Sequence, residues 1–401
     1  MIKIDNGGVC FPKGFLAAGV KAGIKASGNL DLALLYSKEP ARCFATFTKN
    51  QVQAAPVLYC KEVLSEKEAV SAVIVNSGNA NACTGEQGNA DAASMALIAE
   101  KELGICARSV LVGSTGVIGH KLPMDKIKAA IPGLVKDLNE SNSELFARAI
   151  CTTDTIIKTG CVSVQTSQGE IRFGGSCKGS GMIHPNMATM LAYITTDLKL
   201  PVDFSQEFKA LVNESFNAIT VDGDMSTNDT CILLANGQSG ISLSDLSITD
   251  QSNVRAALFD LMKYLAVKIV EDGEGATKKV EIEVCGARNK SEAMQVAKSI
   301  ATSNLVKCAL FGCDPNWGRI VSSAGASGVA FAASNISLYF EGEQVVKNGM
   351  PTEISAGILK EIVKRKEYKI SLDLGLGDSK VSVYTCDLSY DYVKINAEYT
   401  T

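Results

Sequence analysis

Two histidines and one tryptophan are all that 401 residues hold of those types, and the thirteen cysteines contain no C-x-x-C pair. The nearest two, Cys308 and Cys313, are spaced C-x4-C. A structural zinc site draws on two close ligand pairs, so no metal is expected. An odd number of cysteines without a secretory signal reads as reduced thiols, mostly in the core. No G-x-S-x-G elbow occurs, and His120 and His184 sit in loop-like Gly-His and Ile-His-Pro contexts, a poor basis for a serine-histidine hydrolase. No stretch approaches the roughly 20 apolar residues of a membrane span. The short apolar run 14–20 is flanked by lysines and makes a poor signal peptide. A cytoplasmic protein is therefore expected. Positive charge is also lacking: the formal net charge is −4. Nucleic acid and anionic membranes are excluded as expected partners.

What is present begins with periodicity. In "DFSQEFKALVNESFN", Asp203 to Asn217, five apolar residues from Phe204 to Phe216 fall on one helical stripe, and Asp203 and Gln206 are spaced as a capping box. Similar stripes predict helices over 89–103, 124–138, 254–270 and 292–300. Short β-rich runs lie between them: 70–75, 109–113, a hairpin from Cys161, "TCILLA" from Thr230, "VEIEV" from Val280, and a second hairpin from Tyr368. Hairpins mixed with helices predict an α+β layered architecture of mixed or antiparallel sheets covered by helices. The terminal "YDYVKINAEYTT" reads as β-rich. No internal repeat or low-complexity linker interrupts the chain.

Three segments carry candidate chemistry. "GGSCKGSG", Gly174 to Gly181, is either a backbone cradle for an anion or a loop between strands, and it lacks P-loop spacing. "DGDMSTND", Asp222 to Asp229, starts like a calcium loop. Thr227 then stands where the turn glycine belongs and Leu233 where the bidentate glutamate should be, so calcium is excluded. The third is Thr189, at a junction between the glycine-rich loop and an apolar run. A threonine hydroxyl becomes a useful nucleophile beside a base, and its own α-amine, freed by cleavage of the preceding bond, is one such base. That amine titrates near 8, well suited to neutral pH. The small Ala188 before it leaves room for attack on its carbonyl. The other reading is a β-branched residue at a strand start.

Several motifs occur in fixed order: "NSGNANACTG" from Asn76, "GSTGVIG" from Gly113, "TTDT" from Thr152, "KGSGMIHPNMATMLAYITTD" from Lys178, "TVDGDMSTNDT" from Thr220, "DGEGATK" from Asp272, "GCDPNWGRI" from Gly312 and the final "INAEYTT". Through these motifs the chain resembles the ornithine acetyltransferase family, the bifunctional glutamate N-acetyltransferase / amino-acid acetyltransferase of arginine biosynthesis, over essentially its whole length.

The resemblance implies a precursor that cuts itself between Ala188 and Thr189, giving chains 1–188 and 189–401 that stay intertwined. It implies a layered fold resembling amino-terminal-nucleophile hydrolases and an assembly of two copies of each chain. Thr189 is implied as the acetyl acceptor, with acetyl passing from N2-acetylornithine to Thr189 and on to glutamate. Thr115 and Gly116 are implied as oxyanion donors, a role that suits a strand ending in a glycine-rich turn. Substrate contacts fall on Thr152, Lys178, Thr189, Glu274, Asn396 and Thr401. Charge logic agrees, since an amino-acid substrate calls for a cation such as Lys178 at its carboxylate and an anion such as Glu274 at its ammonium. No cofactor is implied. Acetyl-CoA enters as a further acetyl donor on the family's more usual behaviour, although no signature for it is legible. Two other functions fit the residues: a threonine amidase or aminopeptidase that passes the acyl group to water, and a non-catalytic glycine-loop binding protein.

Overall fold

The structure, a computed structural model, describes residues 3–184 and 190–398. Its strands are β1 (Phe15–Val20), β2 (Leu32–Phe47), β3 (Ala69–Asn79), β4 (Val110–Val117), β5 (Lys158–Thr166), β6 (Gly169–Lys178), β7 (Leu191–Thr196), β8 (Ile219–Thr220), β9 (Thr230–Ala235), β10 (Lys279–Ala287), β11 (Ser337–Phe340), β12 (Glu343–Lys347), β13 (Met350–Pro351), β14 (Glu367–Asp373) and β15 (Ser379–Cys386). The helices are α1 (Ala55–Glu66), α2 (Gly85–Leu103), α3 (Met124–Lys136), α4 (Ser143–Ile150), α5 (Phe204–Glu214), α6 (Ile248–Glu271), α7 (Lys290–Ala301), α8 (Asn304–Phe311), α9 (Trp317–Gly325), α10 (Ala356–Val363) and α11 (Tyr390–Glu398).

Two mixed sheets result, and the expected α+β class holds. The first runs β4-β3-β2-β9-β7-β6-β5, with β1 beside the first half of β2. The second runs β13-β12-β11-β14-β10-β15-β8. The central strands of the first sheet are buried on both faces. On β7, Leu191 and Tyr193 pack on one side with Phe146 of α4, and Ala192 and Ile194 on the other with α5 and α6. A strand covered on both faces reads as a continuous apolar run rather than an alternating one. Helix α6 lies on β5 and β6 and also touches β15, which joins the two sheets. At the free edge of β4, Cys60 of α1 bonds both the N–H and the carbonyl of Val112 through its sulfur, at 3.3 and 3.1 Å. That contact occupies backbone groups an edge strand otherwise leaves exposed.

Several expectations are corrected. The segment from Tyr368 is not a hairpin: β10 inserts between β14 and β15, parallel to the first and antiparallel to the second. Asp203 precedes α5 in helical backbone conformation, and its side chain caps nothing. Residues 174–178 of the glycine-rich segment are the end of β6, not a loop. The chain terminus expected as β-rich forms α11. There Ser389 accepts from the Tyr392 N–H, and Tyr390 packs edge-on to Phe311 at 5.4 Å, so local capping and tertiary contact override β propensity. Trp317 opens α9 and packs against the second sheet's core. Of the thirteen thiols six are fully buried, four partly and three exposed, fewer in the core than expected. The proposed strand start at Thr189, with Ala188 before it, lies outside the described residues.

Candidate active site

One pocket, of about 860 Å³ with the open solvent at its mouth included, gathers residues from three strands of the first sheet, the connections around them and the final helix. Thr115 and Gly116 reach it from β4, Thr152 from the connection after α4, Lys178 from the end of β6, Glu274 from the turn after α6, and Asn396 from α11. Six residues proposed from the sequence, more than two hundred positions apart at their extremes, thus line one space. Ala188, Thr189 and Thr401 lie outside the described residues. The described segments on either side of the Ala188–Thr189 bond both line the cavity: Gly181 to Ile183 before it, Met190 and Leu191 after it.

The segment expected to supply oxyanion donors differs in placement from expectation. Thr115 and Gly116 are not in a turn beyond the strand but within β4, which runs on to Val117 beside β3 with an irregular register at Gly78 and Asn79. Gly116 adopts φ +132°, and a Cβ there would come within 2.4 Å of the Gly78 backbone carbon. Only glycine lets the two strands approach so closely at this irregularity. Asn228 ties the segment down. Its amide nitrogen donates to the carbonyls of Ala80 (2.6 Å) and Ser114 (2.8 Å), and its oxygen accepts from the Thr227 hydroxyl at 2.6 Å.

Lys178 is 8% exposed, and its ammonium donates to Thr115 Oγ1 at 3.2 Å. Behind it stands a buried chain of charges that the sequence did not disclose. Asp154 accepts from the backbone N–H groups of Thr152 (2.9 Å) and Gly179 (2.7 Å) and from Lys158 Nζ (2.6 Å). Lys158 also reaches Asp272 at 2.5 Å, and Asp272 in turn accepts from the Thr155 hydroxyl and N–H. Burial would raise the Asp154 carboxyl, but the charges of Lys178 and Lys158 outweigh it and hold the group well below the usual carboxylate range. Asp154 therefore ties together the backbone segments that carry Thr152 and Lys178.

Across the cavity, Glu274 is 7% exposed and accepts from Asn396 Nδ2 at 2.9 Å. Its own N–H donates to Ser180 O at 2.8 Å. Among the described residues, neither Lys178 nor Glu274 forms an ion pair. A charge this well buried and held only by neutral hydrogen-bond partners is costly, and a ligand bearing the complementary charge recovers part of that cost. Two opposite charges facing one space suit a zwitterionic ligand. Asp222 and Tyr392, also in the wall, were not anticipated as site residues. The Asp222 carboxylate accepts from the N–H groups of Met182 (2.6 Å) and Ile183 (2.8 Å), fixing the chain just before the candidate cleavage bond. His184 follows, its Nδ1 3.1 Å from Thr220 Oγ1; burial, then the nearby Lys298, push its pKa down to about 4 and keep the ring neutral. The described residues hold no cluster of metal-ligating side chains. No helix among them is long and apolar enough to cross a membrane.

Comparison with known proteins places this chain among relatives. Residues 16–401 match the model of the ArgJ family. The arginine biosynthesis bifunctional protein ArgJ of Bacillus thuringiensis subsp. konkukian is 44% identical over 400 residues, covering 100% of this chain and 98% of its own. Among solved structures, arginine biosynthesis bifunctional protein ArgJ from Bacillus halodurans is 40% identical, with a TM-score of 0.49, over 52% of this chain and 98% of that one. Ornithine acetyltransferase from Mycobacterium tuberculosis, crystallised with ornithine, is 41% identical, with a TM-score of 0.43, over 47% of this chain and 99% of that one.

Proposed function

The chain belongs to the ArgJ family, and from that premise we propose that it is a glutamate N-acetyltransferase of arginine biosynthesis that moves acetyl from N2-acetylornithine to glutamate through a threonine nucleophile. The observation that carries the reading is the meeting of Thr115, Gly116, Thr152, Lys178, Glu274 and Asn396 in one cavity, with a buried cation facing a buried anion.

In this reading the Ala188–Thr189 bond is cut by the protein itself, leaving chains 1–188 and 189–401. The freed α-amine of Thr189 takes the hydroxyl proton as Thr189 Oγ attacks the acetyl carbonyl of the substrate. The tetrahedral oxyanion faces Thr115 and Gly116. Because an ammonium only donates, Lys178 leaves the Thr115 hydroxyl proton free to point at that oxyanion. Collapse returns the proton to the departing amine and releases ornithine. The glutamate amine then attacks the acetyl-threonine ester by the same path in reverse. Lys178 receives the substrate carboxylate and Glu274, steadied by Asn396, its side-chain ammonium. Thr152 and Thr401 complete the substrate contacts in this scheme.

Acetyl-CoA is a second donor to the same threonine, which gives the bifunctional activity named in the relatives. An assembly of two copies of each chain and a cytoplasmic location complete the reading and rest on the family alone. No cofactor is required by the chemistry. The test is glutamate-dependent release of ornithine from acetylornithine by protein whose intact mass shows two chains. Splitting 42.3 kDa in the ratio of residues 1–188 and 189–401 gives chains of roughly 20 and 22 kDa. An uncut chain that transfers acetyl would overturn the threonine mechanism, and acetylornithine hydrolysis indifferent to glutamate would favour an amidase instead.

A further inference from the structure

A second cleft, of about 1100 Å³ with the open solvent at its mouth included, backs onto the wall of the active-site cavity: Thr152 lines both. Its other walls carry Lys21, Lys25 and Arg148, and Asp154 is the acid among its lining residues. Asp154 is already occupied by Lys158 at 2.6 Å. Arg148 meets Glu144 through Nε and Nη2, at 2.8 and 2.6 Å, which leaves Nη1 and its hydrogens unused by that pair. The lining of the cleft therefore holds three cations to one acid, in a chain whose overall charge is negative.

The loop bearing two of these cations is built rather than casual. Asp31, fully buried, accepts from the backbone N–H groups of Ala22 (2.6 Å), Ile24 (2.6 Å) and Lys25 (2.9 Å). Lys126 donates to the Gly23 carbonyl at 2.7 Å. Lys25 Nζ donates to the carbonyls of Leu30 (2.8 Å) and Cys151 (2.6 Å), so it pins this loop to the residue before Thr152 and keeps one N–H in reserve. A preorganised row of lysine and arginine donors is the chemistry that recognises phosphate.

Neither N2-acetylornithine nor glutamate carries phosphate. Among the substrates of the proposed reaction only the thioester donor does, on its nucleotide end. We infer that the Lys21, Lys25 and Arg148 cleft holds the phosphates of acetyl-CoA while the acetyl end reaches past Thr152 into the catalytic cavity. This rests on the reading that acetyl-CoA is a second donor. It explains how one threonine serves two donors of very different size: their acetyl groups share a site and their remaining parts do not.

The test compares three acetyl donors with glutamate as acceptor: acetyl-CoA, acetylornithine, and the phosphate-free thioester of N-acetylcysteamine. The variants are Lys21→Glu, Arg148→Gln and the pair together, exposed positions outside the catalytic machinery. In the double variant KM for acetyl-CoA should rise roughly 10-fold or more, as expected for loss of charge-assisted hydrogen bonds. The wild-type dependence of that KM on salt should flatten. Rates with acetylornithine and with the short thioester should stay as in wild type. Equal use of acetyl-CoA by wild type and double variant overturns the cleft while leaving the second-donor reading intact. A loss shared by all three donors also overturns it, because the side chains would then act through the fold. Wild-type enzyme that uses acetylornithine but neither thioester overturns the second-donor reading, and the cleft's assignment with it.

Discussion

The ammonium of Lys178 lies 3.2 Å from the hydroxyl oxygen of Thr115, and in the proposed mechanism that single contact joins substrate recognition to oxyanion stabilisation. A cation donating to a hydroxyl oxygen polarises its O–H bond, and the O–H then donates more strongly to a developing negative charge. Thr115→Val, which keeps the shape and deletes the hydroxyl, should lower kcat by about 100- to 1000-fold, the usual loss of one oxyanion donor. Thr115→Ser should retain most of the rate. Steady-state kinetics with acetylornithine and glutamate decide the matter, and a valine variant with near-normal kcat would remove the hydroxyl from the mechanism.

Asn228 acts one step further back. It holds the carbonyl of Ser114, and the N–H of Thr115 occupies the opposite edge of the same planar peptide unit. Fixing one edge fixes the direction of the other. Asn228→Asp replaces a double donor with a carboxylate facing two carbonyl oxygens. It should depress kcat strongly while leaving KM for acetylornithine within a few-fold, because the substrate's charged contacts are untouched. Asn228→Ala should cost about 1–3 kcal/mol of stability for the donor lost to two buried carbonyls. A proportional change in kcat and KM for the aspartate variant would count against a positioning role.

Much of this site was legible because its residues sit in short, ordered motifs, and far less because of secondary structure. The helical stripes at α2, α3, α5, α6 and α7 followed from period 3.6, and β9 from an unbroken apolar run. What failed was non-local. Nothing in the segment from Tyr368 to Cys386 says that β10, some ninety residues earlier, will slide between its two strands. The Asp154–Lys158–Asp272 chain was equally hidden, since Asp272 is brought to Lys158 only by the end of α6. At the terminus a usable signal was present: Ser389, followed three residues later by Tyr392, is the spacing of an N-cap, and the Tyr and Val residues around it read as strand.

His184 makes stability depend on pH. Its ordinary pKa near 6.5 is pushed down to about 4 by burial and by Lys298. Between these two values the unfolded chain binds a proton that the folded chain does not, so stability rises with pH across that window. On acidification this contribution is lost progressively from about pH 6.5 down to pH 4, and no further below it. Thermal melting at pH 7 and pH 5 should show a fall in Tm that is smaller in His184→Gln, a side chain that stays neutral throughout. An equal fall in both proteins would assign the effect to other groups.

The final helix gives the sharpest test of how the acidic end of the cavity is held. Residues of α11 contribute Tyr392 and Asn396 to the wall, yet none of its side chains is fully buried, so its seating depends on a few contacts. Asn396 donates to Glu274, and the Ser389 hydroxyl donates to the carbonyl of Gly275 at 2.6 Å. Gly275 has φ +68°, and a Cβ on it would stand 2.5 Å from the backbone nitrogen of Tyr392. Gly275→Ala therefore combines left-handed strain, roughly 1–2 kcal/mol, with a clash that only movement of the helix relieves. Moving the helix withdraws Asn396 from Glu274 and disturbs the contact of Tyr392 with Asp222, while the bonds from the Met182 and Ile183 N–H groups to Asp222, ahead of the proposed cleavage bond, do not involve the helix. The expected result is two chains of normal mass and a KM for acetylornithine raised about 10-fold or more, the scale of a lost hydrogen bond to a charged group. Asn396→Ala should reproduce the KM effect without the loss in Tm. Should Gly275→Ala lower Tm and leave KM unchanged, α11 stabilises the fold without holding the substrate's ammonium site.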